Sequence, residues 1–177
     1  CLPDAIVVDY DPVWPESFDR LAAVLAPALG GLAAAIHHVG STAIPGLAAK
    51  PVIDIDIELV PGVCLEAATA VLQLLGYVYQ GDQGIPDRYA YSRRSPDVPF
   101  TEARPIWPAH HLYVCPSGSA ELARHLVFRD KLRASPELRQ AYLELKQAAL
   151  ARAQGVRQIY VDEKARLGET FFREVLG

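Results

Sequence analysis

The feature that most constrains this chain is a run of alternating acidic and aliphatic residues over 52–58. Asp54, Asp56 and Glu58 occupy every second position. Because successive side chains of a β-strand point to opposite faces, this spacing predicts a strand over 51–59 with the three acids on one face. Carboxylates beside an apolar wall cost free energy unless they meet a metal, a base or water. The run therefore predicts a strand at the rim of a site, the alternative being a sheet edge with solvated acids.

Two features beside this strand favour the site. Gly40 and Ser41 directly follow a short apolar strand predicted near 35–39. A glycine turn at the end of a strand allows backbone amides to approach a phosphate closely. Lys50 stands at the start of the acid-bearing strand and adds a cation. A phosphate-facing turn beside paired carboxylates is what metal-assisted phosphoryl or nucleotidyl transfer requires.

The segment 38–55, HVGSTAIPGLAAKPVIDI, resembles the signature of the GrpB family. The segments 10–15, 110–114 and 128–133 also resemble motifs of that family, in the family's order. The family is placed in the nucleotidyltransferase superfamily, whose active sites are described by a Gly-Ser turn followed by Asp-x-Asp. The resemblance covers nearly the whole chain. It implies a nucleotidyltransferase-like α/β fold, a mixed sheet flanked by helices with the C-terminal helices packed on it.

The resemblance also implies roles for individual residues. Asp54 and Asp56 would be catalytic and would hold a divalent metal, Mg²⁺, with Mn²⁺ or Zn²⁺ as alternatives. The partner would be a nucleotide or another phosphorylated small molecule, and an enzyme of this kind would catalyse nucleotidyl transfer. Arginine adds bidentate contacts to an anion. The expected phosphate-binding residues are Gly40, Ser41, Thr42, Lys50 and Arg88.

The chain departs from the superfamily at the third carboxylate. The superfamily adds an acid from a neighbouring strand, and the strand predicted over 110–114 offers His111 and Tyr113 instead. Glu58 does not replace it, because it extends the strand that already carries Asp54. This absence favours a competing hypothesis, a non-catalytic ligand-binding or accessory module that kept the fold.

The histidines suggest a third hypothesis, a transition-metal site. His38, His111 and His125 could approach Asp54, and imidazole with carboxylate suits Zn²⁺, Mn²⁺ or Fe²⁺. The neighbours His37 and His38 must point to opposite faces of their strand, so at most one shares the Asp54 face. The alternative for each histidine is a hydrogen-bonded structural residue.

The remaining periodicity predicts a single domain over 1–177. Strands alternate with helices up to about residue 116, and helices follow from about 117 to the end. The segment between the first strand and the acid-bearing strand is predicted to be a crossover rich in glycine and proline. Lys146 and Lys164, on the predicted C-terminal helices, have a weaker claim to function than the residues above.

Composition excludes several classes of function. A net charge of −4 gives no basic footprint and argues against a nucleic-acid partner. No run of eighteen apolar residues exists, so no membrane span is predicted. The three cysteines lie far apart and are odd in number, which predicts reduced thiols and a cytoplasmic protein.

Overall fold

The alternating strand predicted from the sequence lies near the middle of a five-stranded mixed sheet in the order β1-β2-β5-β4-β3. The computed structural model describes residues 7–177. Five α-helices accompany the sheet. In chain order the elements are α1 Val13–Leu29, β1 Ala33–Val39, β2 Ile53–Leu59, α2 Leu65–Leu74, β3 Tyr77–Tyr79, β4 Tyr89–Arg93, β5 His110–Cys115, α3 Ala120–Ala134, α4 Pro136–Ala153 and α5 Arg157–Leu176.

The sheet is mixed because only one of its strand pairs is parallel. β2 pairs with β5 in parallel, whereas β1 with β2, β4 with β5 and β3 with β4 are antiparallel. The crossover predicted between the first strand and the acid-bearing strand is therefore wrong. Since β1 and β2 run in opposite directions, residues 40–52 form a wide hairpin connection that begins with a 3-10 turn at Ser41–Ala43.

One face of the sheet forms the main hydrophobic core. Ile53, Ile55 and Ile57 of β2 are at most 1% exposed. They pack against α1 and α2, whose buried residues include Leu25 and Leu72. Burying such side chains contributes roughly 1.5–3 kcal/mol each, so the aliphatic half of the alternating strand fixes which face turns inward.

The three C-terminal helices lie over the opposite, acid-bearing face. Ser119 and Ser135 cap the first turns of α3 and α4 through their hydroxyls, as serine at such a position should. The helices share a second apolar cluster with the hairpin connection, formed by Ile44, Leu47, Leu132, Tyr142 and Val175. The acid-bearing face of β2 is thus covered by a separate layer of helices, beneath which Asp56 is fully buried.

No helix within residues 7–177 is long and apolar enough to cross a membrane. The segment that precedes residue 7 lies outside the described part of the chain.

Candidate functional site

The strand register determines which side chains share the acid-bearing face. Asp54 pairs with Val39 of β1 and with His111 of β5, so these side chains point to the same side of the sheet. Asp56 pairs with Tyr113 of β5 and continues that face. This juxtaposition follows from the alternation of the strand and from its parallel pairing with β5.

Gly40 brings the end of β1 against the Asp54 carboxylate. Its backbone lies at φ 72° and ψ −172°, a region that only glycine adopts freely. A Cβ at this position would stand 2.3 Å from Oδ2 of Asp54, far inside contact distance. The turn therefore needs glycine twice, for its backbone angles and for the space that the carboxylate occupies.

Replacing Gly40 with alanine is expected to destabilise the protein and to displace the Asp54 carboxylate. Gly46 offers a matched control, because it also has a positive φ, 80°, but has open space where a Cβ would lie. We expect Gly46→Ala to cost about 1–2 kcal/mol from backbone strain and Gly40→Ala to cost clearly more. Equal costs in urea unfolding would show that the contact with Asp54 is unimportant.

Asp54 is the carboxylate that is accessible from two adjoining cavities. Its Oδ1 lies 3.0 Å from Nδ1 of His111, and 31% of its side chain is exposed. Together with Ser41 and Lys164, Asp54 lines both cavities. Of the two residues expected to be catalytic, Asp54 thus lies at their junction.

Asp56 differs from Asp54 in being sealed from both cavities. It is fully buried, and His125 of α3 donates to its Oδ2 at 2.5 Å. The other ring nitrogen of His125 lies 3.2 Å from Glu121. Burial alone would lower the pKa of His125, but the hydrogen bond and the charge of Asp56 outweigh burial and raise it. Asp56 therefore belongs to a carboxylate–histidine–carboxylate chain beneath the site.

His38 does not share the face of Asp54. It pairs with Ile55, stacks on Phe18 of α1 with ring centroids 4.8 Å apart, and contacts the Thr42 hydroxyl at 2.9 Å. Burial, with a smaller contribution from Arg133, lowers its pKa to about 4. Among the neighbouring pair it is His37 that lies on the acid-bearing face. The expectation of His38 as a ligand beside Asp54 is therefore not met.

The first cavity, of about 310 Å³, lies between the hairpin connection, β2 and the helices α4 and α5. We call it the lysine cavity. Four cationic residues line it together with Ser41, Thr42, Asp54 and His111. The four are Lys50, Lys146, Arg157 and Lys164. Within residues 7–177 none of these four forms an ion pair.

Lys146 is the most buried of the four. It is 2% exposed, and its ammonium donates to Oγ of Ser41 at 2.8 Å and to the carbonyl of Ala48 at 2.9 Å. Burial and, to a smaller extent, the charge of Lys164 lower its pKa to about 7, against the opposing effect of Asp54. The cations also repel each other elsewhere, since burial and then Arg157 lower the pKa of Lys50. The four cationic side chains of this cavity thus outnumber its one carboxylate, Asp54.

The second cavity, of about 370 Å³, lies on the other side of Asp54 beneath α3 and the end of α5. We call it the arginine cavity, because Arg88 and Arg124 line it together with Lys164. Its wall also contains Gly40, Glu121 and aromatic side chains. The five phosphate-binding residues expected from the sequence are thus divided between two cavities, with Arg88 in the second and Lys50 and Thr42 in the first.

The described residues offer few metal-ligating side chains at the junction of the two cavities. Within residues 7–177 no group of three or more His, Cys, Asp or Glu side chains is arranged to hold a metal. Mg²⁺ binds through one or two carboxylates and completes its shell with water and substrate phosphates. Asp54 could supply one such oxygen. The remaining oxygen of Asp56, Oδ1, is buried and has no hydrogen-bond partner among the described residues, but it borders neither cavity.

The helices bring to the site several groups that the sequence indicates only weakly. Lys146 follows Tyr142 by four positions and precedes Ala149 by three, so it lies on the buried stripe of α4. A lysine within an apolar stripe was a usable indication. Arg124, Arg157 and Lys164 carried no comparable pattern, because charges on a helix surface are common.

The sequence of this chain is similar to a known protein family and to several individual proteins. The family described as GrpB protein matches residues 4–176. The UPF0157 protein PA4798 of Pseudomonas aeruginosa is 37% identical over 158 residues, which cover 89% of this chain and 62% of that protein. A dephospho-CoA kinase of Mycolicibacterium paratuberculosis is 32% identical over 95% of this chain and 44% of its own length. The chain thus spans less than two thirds of these two relatives.

Solved structures give a consistent result for the fold. The crystal structure of the conserved protein GrpB from Enterococcus faecalis matches with a TM-score of 0.75 and 27% identity, over 96% of this chain and 94% of that one. The structure of Cid1 in complex with its short product ApU matches with a TM-score of 0.54 and 12% identity, over 82% of this chain and 43% of that one. The nucleotidyltransferase-like α/β fold predicted from the sequence is confirmed.

Proposed function

The chain belongs to the GrpB protein family, and from that premise we propose that it binds a nucleotide or another phosphorylated small molecule with a divalent metal at the junction of the two cavities. The proposed reaction is transfer of a nucleotidyl group. The phosphates would occupy the lysine cavity, and the metal would be held by Asp54.

One observation carries this proposal. Four cationic groups line the lysine cavity, none of them forms an ion pair within residues 7–177, and burial together with mutual repulsion lowers the pKa of Lys50 and Lys146. Holding unpaired cations together costs free energy, and an anion with several negative charges would relieve that cost. A phosphate chain provides such an anion, with oxygens that the Ser41 hydroxyl can donate to.

In this proposal each of the chain's site residues has a separate binding role. Lys146 and Ser41, already hydrogen-bonded at 2.8 Å, would bind and orient the phosphates. Lys50 would add charge at the entrance of β2. Asp54 would hold Mg²⁺, which when bound supplies positive charge to the reacting phosphate. Gly40 keeps the Asp54 carboxylate beside the turn and so keeps these groups together.

The comparisons support the proposal at the level of fold and class. The fold likeness extends to Cid1, which was solved with the dinucleotide product ApU. A relative named dephospho-CoA kinase aligns over most of this chain. Both names concern ligands that contain nucleotides, and they agree with the chemistry of the lysine cavity.

The test is a thermal-shift screen of nucleoside triphosphates with and without Mg²⁺ or Mn²⁺. Ligands that bind only the folded state raise its apparent stability. We expect a metal-dependent shift for at least one nucleotide, and we expect Asp54→Asn to remove the metal dependence because the amide oxygen carries no charge. Glu58→Gln is the matched control, since Glu58 lies on the same strand and face and lines neither cavity. A shift that survives in Asp54→Asn would contradict the assigned metal ligand.

A second candidate function is a binding module without catalysis. Asp56 is sealed by His125 and reaches neither cavity, so the site presents one accessible carboxylate from the Asp-x-Asp pair. Two-metal catalysis needs more oxygen ligands than this arrangement offers. Incubation with a nucleoside triphosphate that binds, followed by assay for released pyrophosphate, separates the two functions. Binding without pyrophosphate release would favour the module.

A further inference from the structure

We propose that the arginine cavity is a subsite for a second, anionic co-substrate that carries a flat aromatic part and binds at the same time as the phosphate chain in the lysine cavity. The inference rests on the proposed function and extends it. It assigns the class of molecule that would accept the transferred group.

Arg88 is the group that most clearly lacks a partner in this cavity. Its guanidinium lies over the ring of Tyr113, with Cζ 4.3 Å from the ring centroid. Its buried Nε has no hydrogen-bond partner among the described residues, and no ion pair to Arg88 occurs within residues 7–177. A stacked guanidinium is held in orientation and presents its remaining donors along one plane, which suits a bidentate contact with carboxylate or phosphonate oxygens.

The other charges of the cavity leave a net requirement for an anion. Two acids line the cavity. Glu121 already faces His125 at 3.2 Å and Arg124 at 4.0 Å, and Asp54 already contacts His111 at 3.0 Å. Lys164 projects into the cavity without an ion pair in the described residues. Arg88 and Lys164 are therefore the uncompensated cations, and Arg124, with 61% of its side chain exposed, stands toward solvent.

The rest of the wall is apolar and aromatic. Phe128 lies edge-on to Tyr142, with centroids 5.2 Å apart, and Phe172 lies 5.9 Å from each of these rings. Aromatic faces and edges favour a flat ring over a flexible polar chain. The cavity thus combines a cation with an aromatic wall, whereas the lysine cavity combines cations with hydroxyls. The two cavities therefore favour ligands of different chemistry.

Their common border places both ligands beside the same carboxylate. Ser41, Asp54 and Lys164 line both cavities. A phosphate chain in the lysine cavity and an anion in the arginine cavity would meet at Asp54, and Lys164 would lie between their charges. In the transfer an oxygen of the acceptor would form a bond to the α-phosphorus of a nucleoside triphosphate, the bond from that phosphorus to the oxygen bridging to the β-phosphate would break, and pyrophosphate would leave from the lysine cavity.

The experiment uses phenylphosphonate as the co-substrate probe and tripolyphosphate as the probe of the lysine cavity, both measured by isothermal titration calorimetry with Mg²⁺. We expect phenylphosphonate to bind in a 1:1 ratio to protein already saturated with tripolyphosphate. Arg88→Gln should weaken phenylphosphonate binding by at least tenfold and leave tripolyphosphate binding within twofold. Lys50→Gln should do the reverse. Arg94→Gln is the control, an exposed arginine one residue beyond the end of β4.

Arg88 could instead serve as a counter-charge for the buried Asp56, and thermal unfolding distinguishes the two roles. A structural role predicts that Arg88→Gln lowers the melting temperature while phenylphosphonate binding to the folded variant stays unchanged. That result, or competition between the two probes for one site, would overturn the inference. Failure of the wild-type protein to bind tripolyphosphate would instead contradict the proposed function of the lysine cavity.

Discussion

Replacing Asp56 with asparagine is expected to lower the free energy of unfolding by about 3 kcal/mol, the largest loss of stability from any single carboxylate of β2. Asp56 is fully buried, and one of its oxygens accepts a hydrogen bond from His125 at 2.5 Å. Removing one partner of a buried charged pair costs about 3–5 kcal/mol because the other charge stays buried. The lower value applies because 26% of the His125 side chain is exposed. The measurement is urea unfolding at neutral pH.

The control for this prediction is Glu58→Gln. Glu58 lies two residues along the same strand and faces His37 at 2.9 Å, but 30% of its side chain is exposed. A partly exposed pair contributes about 0–1 kcal/mol. If Glu58→Gln costs as much as Asp56→Asn, burial is not the reason for the effect.

The effect of Asp56→Asn should also depend on pH. Because the pKa of His125 is raised in the folded state, the contribution of this pair is fully present below about pH 6.5, the ordinary pKa of histidine, and is lost as pH rises through the folded value. The difference in stability between the wild type and Asp56→Asn should therefore be larger at about pH 6 than at about pH 8.5. A difference that grows with pH would contradict the pairing.

Replacing Lys146 with methionine is expected to weaken tripolyphosphate binding by tenfold or more while leaving the fold intact. Methionine fills the channel that the lysine stem occupies, beside the ring of Tyr142 at 4.8 Å, but it cannot donate to Ser41 or to a phosphate. A hydrogen bond to a charged group contributes about 1.5–3 kcal/mol, which corresponds to roughly a tenfold to hundredfold change in affinity. Calorimetry of both proteins at pH 6.5 measures it.

Lys131→Met is the matched control for this variant. Lys131 donates to the carbonyl of Val175 at 2.6 Å and lines neither cavity. Its replacement should leave tripolyphosphate binding within twofold. Equal loss in both variants would mean that general positive charge, and not the position of Lys146, attracts the phosphate.

Stability should change with pH through Lys146 in a defined direction. Burial lowers its pKa from 10.5 to about 7, so between these values the unfolded chain binds more protons than the folded one. Stability therefore rises with pH across this window, by at most about 1.4 kcal/mol per pH unit. Lys146→Met lacks this contribution. The free energy of unfolding of the wild type relative to the variant should increase from about pH 7 to about pH 10.

Much of the fold could be read from local patterns. The alternation at 52–58 and the glycine turn at Gly40 depend on neighbours a few residues away, and each appears in the structure where it was expected. The wide hairpin over 40–52 was not foreseen, because strand direction is decided by pairing with distant strands. The local sequence therefore does not determine the direction of a strand.

Asp54 and Asp56 of β2 show the same difference between what a local pattern predicts and what distant elements decide. Their common face follows from a period of two, and the sequence was sufficient for it. Their different surroundings do not follow, since Asp56 is sealed by His125, 69 positions away, while Asp54 stays at the junction of two cavities. Two positions that look equivalent in the sequence therefore receive different environments from α3.

The sequence by itself determined the strand, the Gly-Ser turn and the family to which they belong. The tertiary structure decided that this turn meets a buried lysine from α4, with Ser41 and Lys146 separated by 105 positions and joined at 2.8 Å. It also decided that the expected phosphate-binding residues divide between two cavities. The physical reason is that side-chain periodicity is a local property of the backbone, whereas the charge and burial of a site are set by elements that meet only when the hydrophobic faces of the helices pack onto the sheet.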